Sequence, residues 1–381
     1  MRLLHTADWH LGRLFHNLSL LDDQRYVLDQ LVDIIDREGV EAVLIAGDIY
    51  DRSVPPASAV ALLDDVLTAL CSERNLPVVM ISGNHDSAQR LGFGASHLRQ
   101  AGLHILSDLT DIERPVTLSA KGVEVDVFGI PYADPEYVRS QLEVDVRDFD
   151  GAHRYLVERI NAQRHPTRPT VLMSHCFVDG GSASDSERPL TLGGAESVAW
   201  EPMQSFDYVA LGHLHGPQYR GGEHIRYSGS LLKYSFSEAS QRKGVTLVDI
   251  DEQGVRHIEH RPLTPRLDVR VLEGELDSLI AQGLGDPHAD DYLLVRLTDR
   301  HAILDPMGKL REVYPNVMHL EKPGMLESRG RQQLDRERLR FSALDMFSDF
   351  FAQTSGEAMT DEQAEAMNEL ISQLNRDEEN R

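Results

Sequence analysis

Five short motifs in this chain carry side chains that bind metal ions or phosphate, and each follows a short apolar run. They combine carboxylates, an amide and imidazoles, which suit Mn²⁺, Fe²⁺ or Zn²⁺ better than Ca²⁺ or a thiolate zinc site. The motifs hold more ligands than one ion can use, and two ions bridged by a carboxylate would use them all. That arrangement suits in-line attack on a phosphorus ester. The motifs are Asp8-Trp9-His10, Gly47-Asp48-Ile49-Tyr50-Asp51, Gly83-Asn84-His85-Asp86, Met173-Ser174-His175 and Gly212-His213-Leu214-His215.

The spacing of apolar residues predicts the elements that position these side chains. Short runs rich in β-branched residues predict buried strands directly before each motif. Helical spacing of apolar residues, with turn and capping residues at the ends, predicts helices between the first strands. The predicted strands cover residues 2–6, 42–46, 76–81, 123–130, 170–173 and 208–211. The predicted helices cover residues 20–38 (capped by Ser19, ended by Gly39), a segment after Pro55-Pro56, residues 87–100 and residues 152–163.

Strands that alternate with helices predict a parallel sheet with right-handed crossovers. In open α/β sheets ligands bind at the carboxyl ends of the strands, so we expect the motifs to converge on one edge. Each motif alone is weak evidence, because short motifs of this kind are common in turns and on surfaces. Their joint occurrence at successive strand ends favours a shared site. Histidines outside the pattern, such as His5, His97, His104 and His224, are interpreted as structural.

The pattern changes after residue 211, where hairpins replace crossovers, and Pro262 and Pro265 mark a boundary. We therefore expect an α/β domain over residues 1–262 and a small α/β capping domain over residues 263–325. The rest of the chain, residues 326–381, is expected to form a linker and C-terminal helices.

The C-terminal segment begins with a linker biased towards arginine at residues 328–340. Two amphipathic stretches follow, and Thr360 with Gln363 forms a capping box before the second. These stretches either dock on the body of the protein or bind helices of a partner. The first apolar stripe contains Ala343, Leu344, Phe347, Phe350 and Phe351, and the second contains Ala364, Met367, Leu370, Ile371 and Leu374.

The chain has 62 acidic and 38 basic residues, and its formal net charge of −24 argues against a generic nucleic-acid binder with a basic face. An excess of acidic residues suits a protein that binds cations or a basic partner. We see no export signal and no apolar run of membrane-spanning length, so we expect a cytoplasmic protein with no membrane association. Cys71 and Cys176 are expected to be free thiols.

The order Asp-x-His, Gly-Asp-x-x-Asp, Gly-Asn-His-Asp, His and Gly-His-x-His resembles the calcineurin-like metallophosphoesterases. Residues 7–13 (ADWHLGR), 46–51 (AGDIYD) and 227–230 (YSGS) resemble the nuclease subunits of SbcCD-type complexes within that family. The resemblance implies a four-layer α/β/β/α sandwich with a small α/β capping domain and C-terminal helices. It also implies an Mn²⁺-dependent DNA nuclease, active as an exonuclease or endonuclease on double-strand ends and hairpins.

The resemblance also assigns roles to residues. Asp48 would bridge two metal ions, most readily Mn²⁺, with Mg²⁺, Fe²⁺ or Zn²⁺ as alternatives. His85 would face the phosphate, stabilising developing charge or protonating the leaving oxygen, and Asp86 would orient it. The ligands of one ion would be Asp8, His10, Asp48 and His215, and those of the other would be Asp48, Asn84, His175 and His213.

The partners that the resemblance implies are DNA and an SbcC-type ATPase, which the C-terminal helices would bind. Helices within residues 57–70 and 88–98 would pair two copies inside a heterotetramer. An alternative is a metallophosphoesterase for small phosphodiesters or phosphoproteins that does not act on DNA, and a third is a non-catalytic scaffold. The capping domain, the arginine-biased linker and the terminal helices favour the nuclease, and a scaffold should have lost ligands that this chain keeps.

Overall fold

The computed structural model describes residues 1–187, 196–299, 301, 303–322, 347–348, 351 and 359–379. Its strands are β1 (Arg2–Thr6), β2 (Leu14–Phe15), β3 (Leu18–Ser19), β4 (Ala42–Ala46), β5 (Val78–Ile81), β6 (Leu103–Leu106), β7 (Val116–Ala120), β8 (Val123–Ile130), β9 (Thr170–His175), β10 (Phe177–Val178), β11 (Ser197–Val198), β12 (Tyr208–Gly212), β13 (Gln218–Arg220), β14 (Gly222–Tyr227), β15 (Gly244–Asp251), β16 (Gly254–Pro262), β17 (Val269–Gly274), β18 (Tyr292–Leu297) and β19 (Val317–Glu321). Its helices are α1 (Leu21–Glu38), α2 (Ala57–Leu67), α3 (Ala88–Leu91), α4 (Ala95–Leu98), α5 (Pro135–Leu142), α6 (Phe149–Asn161), α7 (Leu276–Gly283), α8 (Pro306–Arg311) and α9 (Asp361–Glu379).

Two six-stranded sheets form the body of the first unit. One has the order β16-β15-β1-β4-β5-β6, and the other has the order β13-β14-β12-β9-β8-β7. The strands β1, β4, β5 and β6 are parallel, as the alternation of strands and helices predicts. The strands β8, β9, β12 and β14 are parallel in the second sheet, and antiparallel strands complete both sheets.

The two sheets pack face to face, and helices cover their outer faces. Leu44 and Ala46 of β4 share one apolar cluster with Val171 and Met173 of β9, which places the main core between the sheets. The intervening residues of β4, Val43 and Ile45, face the opposite side of the sheet, because side chains alternate along a strand. They are fully buried, and α1 presents a row of buried apolar side chains: Val27, Leu28, Leu31, Ile34 and Ile35. A second cluster buries the other sheet against α5 and α6.

The first predicted helix is confirmed with one correction at its start. Leu20 rather than Ser19 is the N-cap residue of α1, although Oγ of Ser19 accepts the N–H of Leu21 at 3.3 Å. The helix ends at Gly39, whose φ of +63° is left-handed, as the sequence predicts.

The expected helix over residues 87–100 is broken into α3 and α4. Gly92-Phe93-Gly94 separates them, and Gly94 has a φ of +72°. A left-handed residue cannot continue a right-handed helix, so the chain turns here. The break leaves the side chain of Phe93 85% exposed.

The chain divides into two compact units, Met1–Asp268 and Val269–Arg381. The second contains the parallel sheet β17-β18-β19, whose core includes residues of α7 and α8. In α9 the predicted capping box is confirmed, because Thr360 and Gln363 exchange hydrogen bonds of 3.0 and 3.4 Å. The linker at residues 328–340 and most of the first apolar stripe lie outside the described residues. The division at 262 and 325 remains a prediction.

No helix in the described part of the chain combines the length and the apolar character that a membrane crossing needs. Cys71 and Cys176 are both free, as predicted.

Candidate two-metal centre

The loops that follow β1 and β4 run side by side and bring acidic residues together. The N–H groups of Asp8 and His10 donate to the carbonyls of Gly47 and Asp48 at 3.0 and 2.9 Å. The φ angles are +54° at Asp8, +46° at His10 and +49° at Asp48, all in the left-handed region. Such a backbone costs on the order of 1–3 kcal/mol and clusters at functional sites. The fold therefore tolerates strain at the point where these side chains converge.

Glycines let the strand ends approach one another closely. A Cβ atom on Gly83 would lie 2.1 Å from Oδ1 of Asp48, and one on Gly47 would lie 2.2 Å from Nδ1 of His175. A Cβ atom on Gly212 would lie 1.8 Å from a carbonyl oxygen of β4. Because these distances are far below van der Waals contact, a larger residue at any of the three positions would force the loops apart.

Asp8, His10 and His215 form a first ligand group. One ligand atom from each lies within 4.8 Å of the others, and all three side chains are buried. The Nε2 atoms of His10 and His215 lie 3.0 Å apart. Two imidazole nitrogens at this distance need a proton or a cation between them. The three side chains therefore converge on a point suited to a positive ion.

Asn84, His175 and His213 form a second ligand group. Oδ1 of Asn84 lies 2.9 Å from Nε2 of His175 and 3.2 Å from Nδ1 of His213. The other nitrogen of His175, Nδ1, donates to the carbonyl of Ala46 at 2.9 Å. This hydrogen bond orients the ring and leaves Nε2 for a ligand.

Asp48 lies between the two groups. Its Oδ2 atom is 3.5 Å from Nε2 of His10 and 3.6 Å from Nε2 of His175. Its Oδ1 atom accepts the backbone N–H of His85 at 2.9 Å, which fixes the orientation of the carboxylate. One oxygen is thus shared between the two groups, in the position that a bridging carboxylate takes. The assignment of individual ligands remains a prediction.

His85 lies beside the first ligand group. Its ring stands edge-on to that of His10, with centroids 4.7 Å apart, and its Nδ1 atom donates to the backbone carbonyl of Asp51 at 2.8 Å. The carboxylate of Asp51 lies 3.1 Å from Nη1 of Arg13 and 3.8 Å from Nδ1 of His10. His10, Asp51 and His85 thus make a third cluster whose ligand atoms lie within 4.8 Å.

The expectation that Asp86 orients the ring of His85 is wrong. The carboxylate of Asp86 accepts backbone N–H groups instead, from Ile49 at 3.1 Å, Tyr50 at 2.9 Å and Gly83 at 2.9 Å. Asp86 therefore ties the loop after β5 to the loop after β4. It acts on the site through the backbone that carries Asp48 and Asn84, because its hydrogen bonds among the described residues all come from main-chain N–H groups.

The site shifts the pKa values of the proposed ligand residues in different directions. Burial, and then the nearby carboxylate of Asp48, raise the pKa of Asp8 well above its usual value. Burial acts on Asp48 too, but the imidazoles of His175 and His10 outweigh it and hold the pKa of Asp48 well below its usual range. Burial lowers the pKa of His213 to about 3 and lowers the pKa of His10 strongly. These two imidazoles are neutral at pH 7, the form that binds metal ions.

The donor set fits two divalent ions. Asp8 and Asp48 are buried carboxylates, and such groups require cations or hydrogen-bond donors around them. Nδ1 of His10 is buried and has no hydrogen-bond partner among the described residues. Carboxylate, amide and imidazole donors converge in two groups with a shared oxygen, which is the donor chemistry of two-ion phosphoesterase sites.

Sequence reasoning missed Gln24, which supports the first motif. Its Nε2 atom donates to the carbonyls of Trp9 and His10 at 3.1 and 2.8 Å, and its Oε1 atom accepts the N–H of Gly12 at 3.0 Å. The signal in the sequence was a glutamine on the apolar face of a predicted helix, in register with Leu28 and Leu31. The residues that support His215, described below, were missed as well.

Two family models match the chain: the calcineurin-like phosphoesterase model covers residues 1–217, and a model described as the type 5 capsule protein repressor C-terminal domain covers residues 265–355. The SbcD subunit of the SbcCD nuclease of Staphylococcus epidermidis (strain ATCC 12228) is 36% identical over 321 residues, which is 84% of this chain and 85% of that protein. The chain belongs to the SbcD family of calcineurin-like phosphoesterases. The expected metallophosphoesterase fold is thereby confirmed.

A second relative in the SbcD family matches almost end to end. The SbcD subunit of the SbcCD nuclease of Staphylococcus saprophyticus subsp. saprophyticus is 34% identical over 384 residues, and the match covers 98% of each chain. Among solved structures, TT1561 of Thermus thermophilus is 13% identical with a TM-score of 0.42, and the match covers 69% of this chain and 99% of that one.

Proposed function

We propose that this chain is the Mn²⁺-dependent nuclease subunit of an SbcCD-type complex, hydrolysing DNA phosphodiesters at double-strand ends and hairpins. The observation that carries the proposal is the position of Asp48, whose Oδ2 atom lies 3.5 Å from Nε2 of His10 and 3.6 Å from Nε2 of His175. A carboxylate oxygen shared by two ligand groups is what two-ion hydrolysis of a phosphorus ester requires. The names of the curated relatives supply the substrate class.

The chain's own side chains supply the charge and the donor atoms for that chemistry. When bound, two divalent ions neutralise phosphate charge and lower the pKa of water towards neutrality. Asp48 contributes negative charge in a buried site, and Asp8 would supply a second buried carboxylate to the ions. The neutral imidazoles of His10 and His213 contribute donors that need no deprotonation at pH 7. Mn²⁺ is proposed because mixed carboxylate, amide and imidazole donors suit it, and Mg²⁺, Fe²⁺ and Zn²⁺ are the ions to test against it.

His85 is proposed as the catalytic residue that contacts the substrate. Its Nδ1 atom donates to the carbonyl of Asp51, so Nε2 is the nitrogen left to face a phosphate. His85 is 8% exposed, more than any of the four proposed ligand histidines, so it is the imidazole of the site with the most access to solvent. From this position Nε2 would donate to a phosphate oxygen or protonate the leaving oxygen.

A second copy of this chain is proposed to bind the apolar groove beside the site. The groove has a volume of about 550 Å³ and lies between α2 and the broken helix. Phe93 is 85% exposed, Val54 59% and Val60 45%, which is unusual for neighbouring apolar side chains on one surface. Pairing two copies across this surface would cover them.

An SbcC-type ATPase is the proposed partner of α9. The helix carries an apolar stripe that includes Met367, Leu370 and Ile371, and Leu370 is 52% exposed. An amphipathic helix of this kind lays its apolar face against a partner's helices.

The two free cysteines fit a reducing cytoplasm, where we place the protein.

A cleavage assay on linear duplex DNA with Mn²⁺, with and without the SbcC-type ATPase, tests the proposal. We expect cleavage by the complex, weak and salt-sensitive DNA binding by the isolated chain because of its charge of −24, and no cleavage by the complex with His85→Ala. His165→Ala, an exposed histidine outside the motifs, is the matched control. Efficient hydrolysis of a small phosphodiester, with DNA left intact even with the ATPase, would replace the nuclease with the alternative function.

A further inference from the structure

Behind His215 lies a chain of buried polar groups that the two-metal arrangement does not use. Nδ1 of His215 lies 2.6 Å from Oγ of Ser186, and that hydroxyl contacts Oε1 of Glu238. Oε2 of Glu238 pairs with Nζ of Lys243 at 2.5 Å. Ser186 and Lys243 are each 6% exposed, and Glu238 is fully buried. We call Ser186, Glu238 and Lys243 the His215 relay.

The hydrogen-bonding capacities of these groups fix the direction of each contact. An ammonium group only donates, and an ionised carboxylate only accepts. The hydroxyl of Ser186 therefore donates to Glu238 and accepts from Nδ1–H of His215. A neutral imidazole that donates through Nδ1 has an unprotonated Nε2. That Nε2 atom is the one that lies 3.0 Å from Nε2 of His10.

We propose that the His215 relay is a positioning device, which holds His215 in the tautomer and orientation that present Nε2 to a divalent cation. This inference rests on the proposed two-metal function. A carboxylate that acts on a ligand imidazole through a hydroxyl also increases the electron density at the ligating nitrogen. Loss of such an outer partner lowers metal affinity by roughly 10- to 100-fold. His175 differs, because its Nδ1 atom donates to a backbone carbonyl.

The backbone of His215 is held by Glu187 and by Lys243 of the relay. Its N–H donates to Oε1 of Glu187 at 2.6 Å, and its carbonyl accepts from Nζ of Lys243 at 2.7 Å. Lys243 also donates to Oγ of Ser230 at 2.9 Å and Oε1 of Gln241 at 2.7 Å, so it joins loops as well. A test must therefore separate an effect on the metal site from an effect on folding.

The test is calorimetric titration of the metal-free protein with Mn²⁺, combined with Mn²⁺ electron paramagnetic resonance and thermal melting without metal. In Ser186→Ala and Glu238→Gln we expect one of the two Mn²⁺ affinities to fall by roughly 10- to 100-fold, with the other unchanged. We expect an altered Mn²⁺ spectrum in both variants and, for Ser186→Ala, a metal-free melting temperature close to that of the wild type. Glu238→Gln leaves buried Lys243 without its counter-ion and should melt lower, but still cooperatively. Ser186→Thr keeps the hydroxyl and should restore the affinity. Ser140→Ala, which removes a hydroxyl that donates to the carbonyl of Tyr137 at 2.9 Å away from the site, is the matched control.

Wild-type affinities for both ions in Ser186→Ala and Glu238→Gln would overturn the inference. So would a loss of cooperative melting without metal in both variants, since the residues would then act on folding. His215→Ala separates the inference from the proposed function. If His215→Ala keeps both affinities, the proposed ligand set itself is wrong; if it loses one while the relay variants keep both, only the relay is wrong.

Discussion

The backbone carbonyl of Asp51 accepts a hydrogen bond from Nδ1 of His85 at 2.8 Å. This contact joins the loop after β4 to the loop after β5. It occupies Nδ1 of His85 and leaves Nε2 without this partner. His85 is thereby oriented by main chain, whereas its neighbour Asn84 directs Oδ1 towards His175 and His213. Two consecutive residues of one loop thus have separate positions in the site.

His85→Ala should keep both metal ions and lose turnover. Because His85 makes no contact with the second ligand group among the described contacts, its removal leaves those donors in place, and kcat should fall by about 10²- to 10⁴-fold. Asn84→Ala removes a donor atom and should weaken metal binding itself. Metal content after dialysis and kcat of the same samples check both variants. Loss of both ions in His85→Ala would show that the ring is a ligand.

Metal binding should release protons, and its affinity should rise with pH. Burial lowers the pKa of His175, but the carboxylate of Asp48 outweighs it and raises the pKa to about 9. Below that pH metal-free His175 is protonated, so an ion that binds Nε2 must displace the proton. The apparent affinity should therefore increase about tenfold per pH unit up to about pH 9.

Titration calorimetry between pH 6 and pH 8, in buffers with different ionisation enthalpies, measures this release. His175→Gln should release fewer protons, because the proton of His175 is no longer there to displace. His213→Gln should keep the wild-type release, because burial lowers the pKa of His213 to about 3 and its ring carries no proton to displace. An affinity that does not change across this pH range would contradict the coupling between His175 and Asp48.

Gly83→Ala should disrupt the bridging position. The added Cβ atom would lie 2.1 Å from Oδ1 of Asp48, so the carboxylate or the loop must move. We expect Mn²⁺ affinity to fall by roughly tenfold or more, as for other changes that reorient a ligand. Gly285→Ala, where no heavy atom lies within 4 Å of the added Cβ atom, is the control. Equal Mn²⁺ content in the two variants would show that the close approach is not required.

Asp86→Ala should destabilise the metal-free protein by about 2–4 kcal/mol, since it leaves three backbone N–H groups without their acceptor. Asp86→Ala also removes the repulsion between the carboxylates of Asp86 and Asp48. The loss of stability should therefore be smaller than the sum of the three lost hydrogen bonds. Asp134→Ala removes a helix N-cap that accepts from the N–H of Glu136 at 2.8 Å, and it should cost only about 1 kcal/mol. Urea unfolding of both variants measures the difference, and an Asp86→Ala loss no larger than that of Asp134→Ala would refute this structural role.

Phe93→Asp should prevent the proposed pairing of two copies of the chain. The side chain is 85% exposed beside the apolar groove, so a carboxylate there would be buried without a partner in a paired molecule. Sedimentation velocity at micromolar concentration without the ATPase measures the change. Leu284→Asp, at an 80% exposed leucine of the second unit, is the control. A monomeric wild-type chain under these conditions would contradict the proposed pairing.

The strands that carry the motifs were predictable, because they depend on local sequence. Strands β6, β7 and β13 were not predicted, and the division of the motif strands between two sheets depends on contacts far apart in sequence. An apolar run that ends in Gly-Asp or Gly-Asn-His-Asp encodes the strand and its ligands within a few residues. The sequence does contain a signal for the break at Gly92 and Gly94, because two glycines within one predicted helix destabilise it. Helix α5 was missed although Asp134 and Pro135 mark its start.

The supports of the site were not predictable, because they depend on pairs far apart in sequence. Ser186 and His215 are separated by 29 positions, and Ser186 and Glu238 by 52. No local pattern distinguishes such a serine or glutamate from a surface residue. The role of Asp86 was misassigned for a related reason: adjacency to His85 in sequence suggested a contact, but the carboxylate turns towards the loop after β4.

Anomalous diffraction at the manganese edge from Mn²⁺-soaked crystals tests the central claim most directly. We predict two peaks on either side of Asp48, one contacted by Asp8, His10 and His215 and the other by the second ligand group. A single peak, or a peak held by His10, Asp51 and His85, the third cluster of potential ligands, would contradict the two-metal centre.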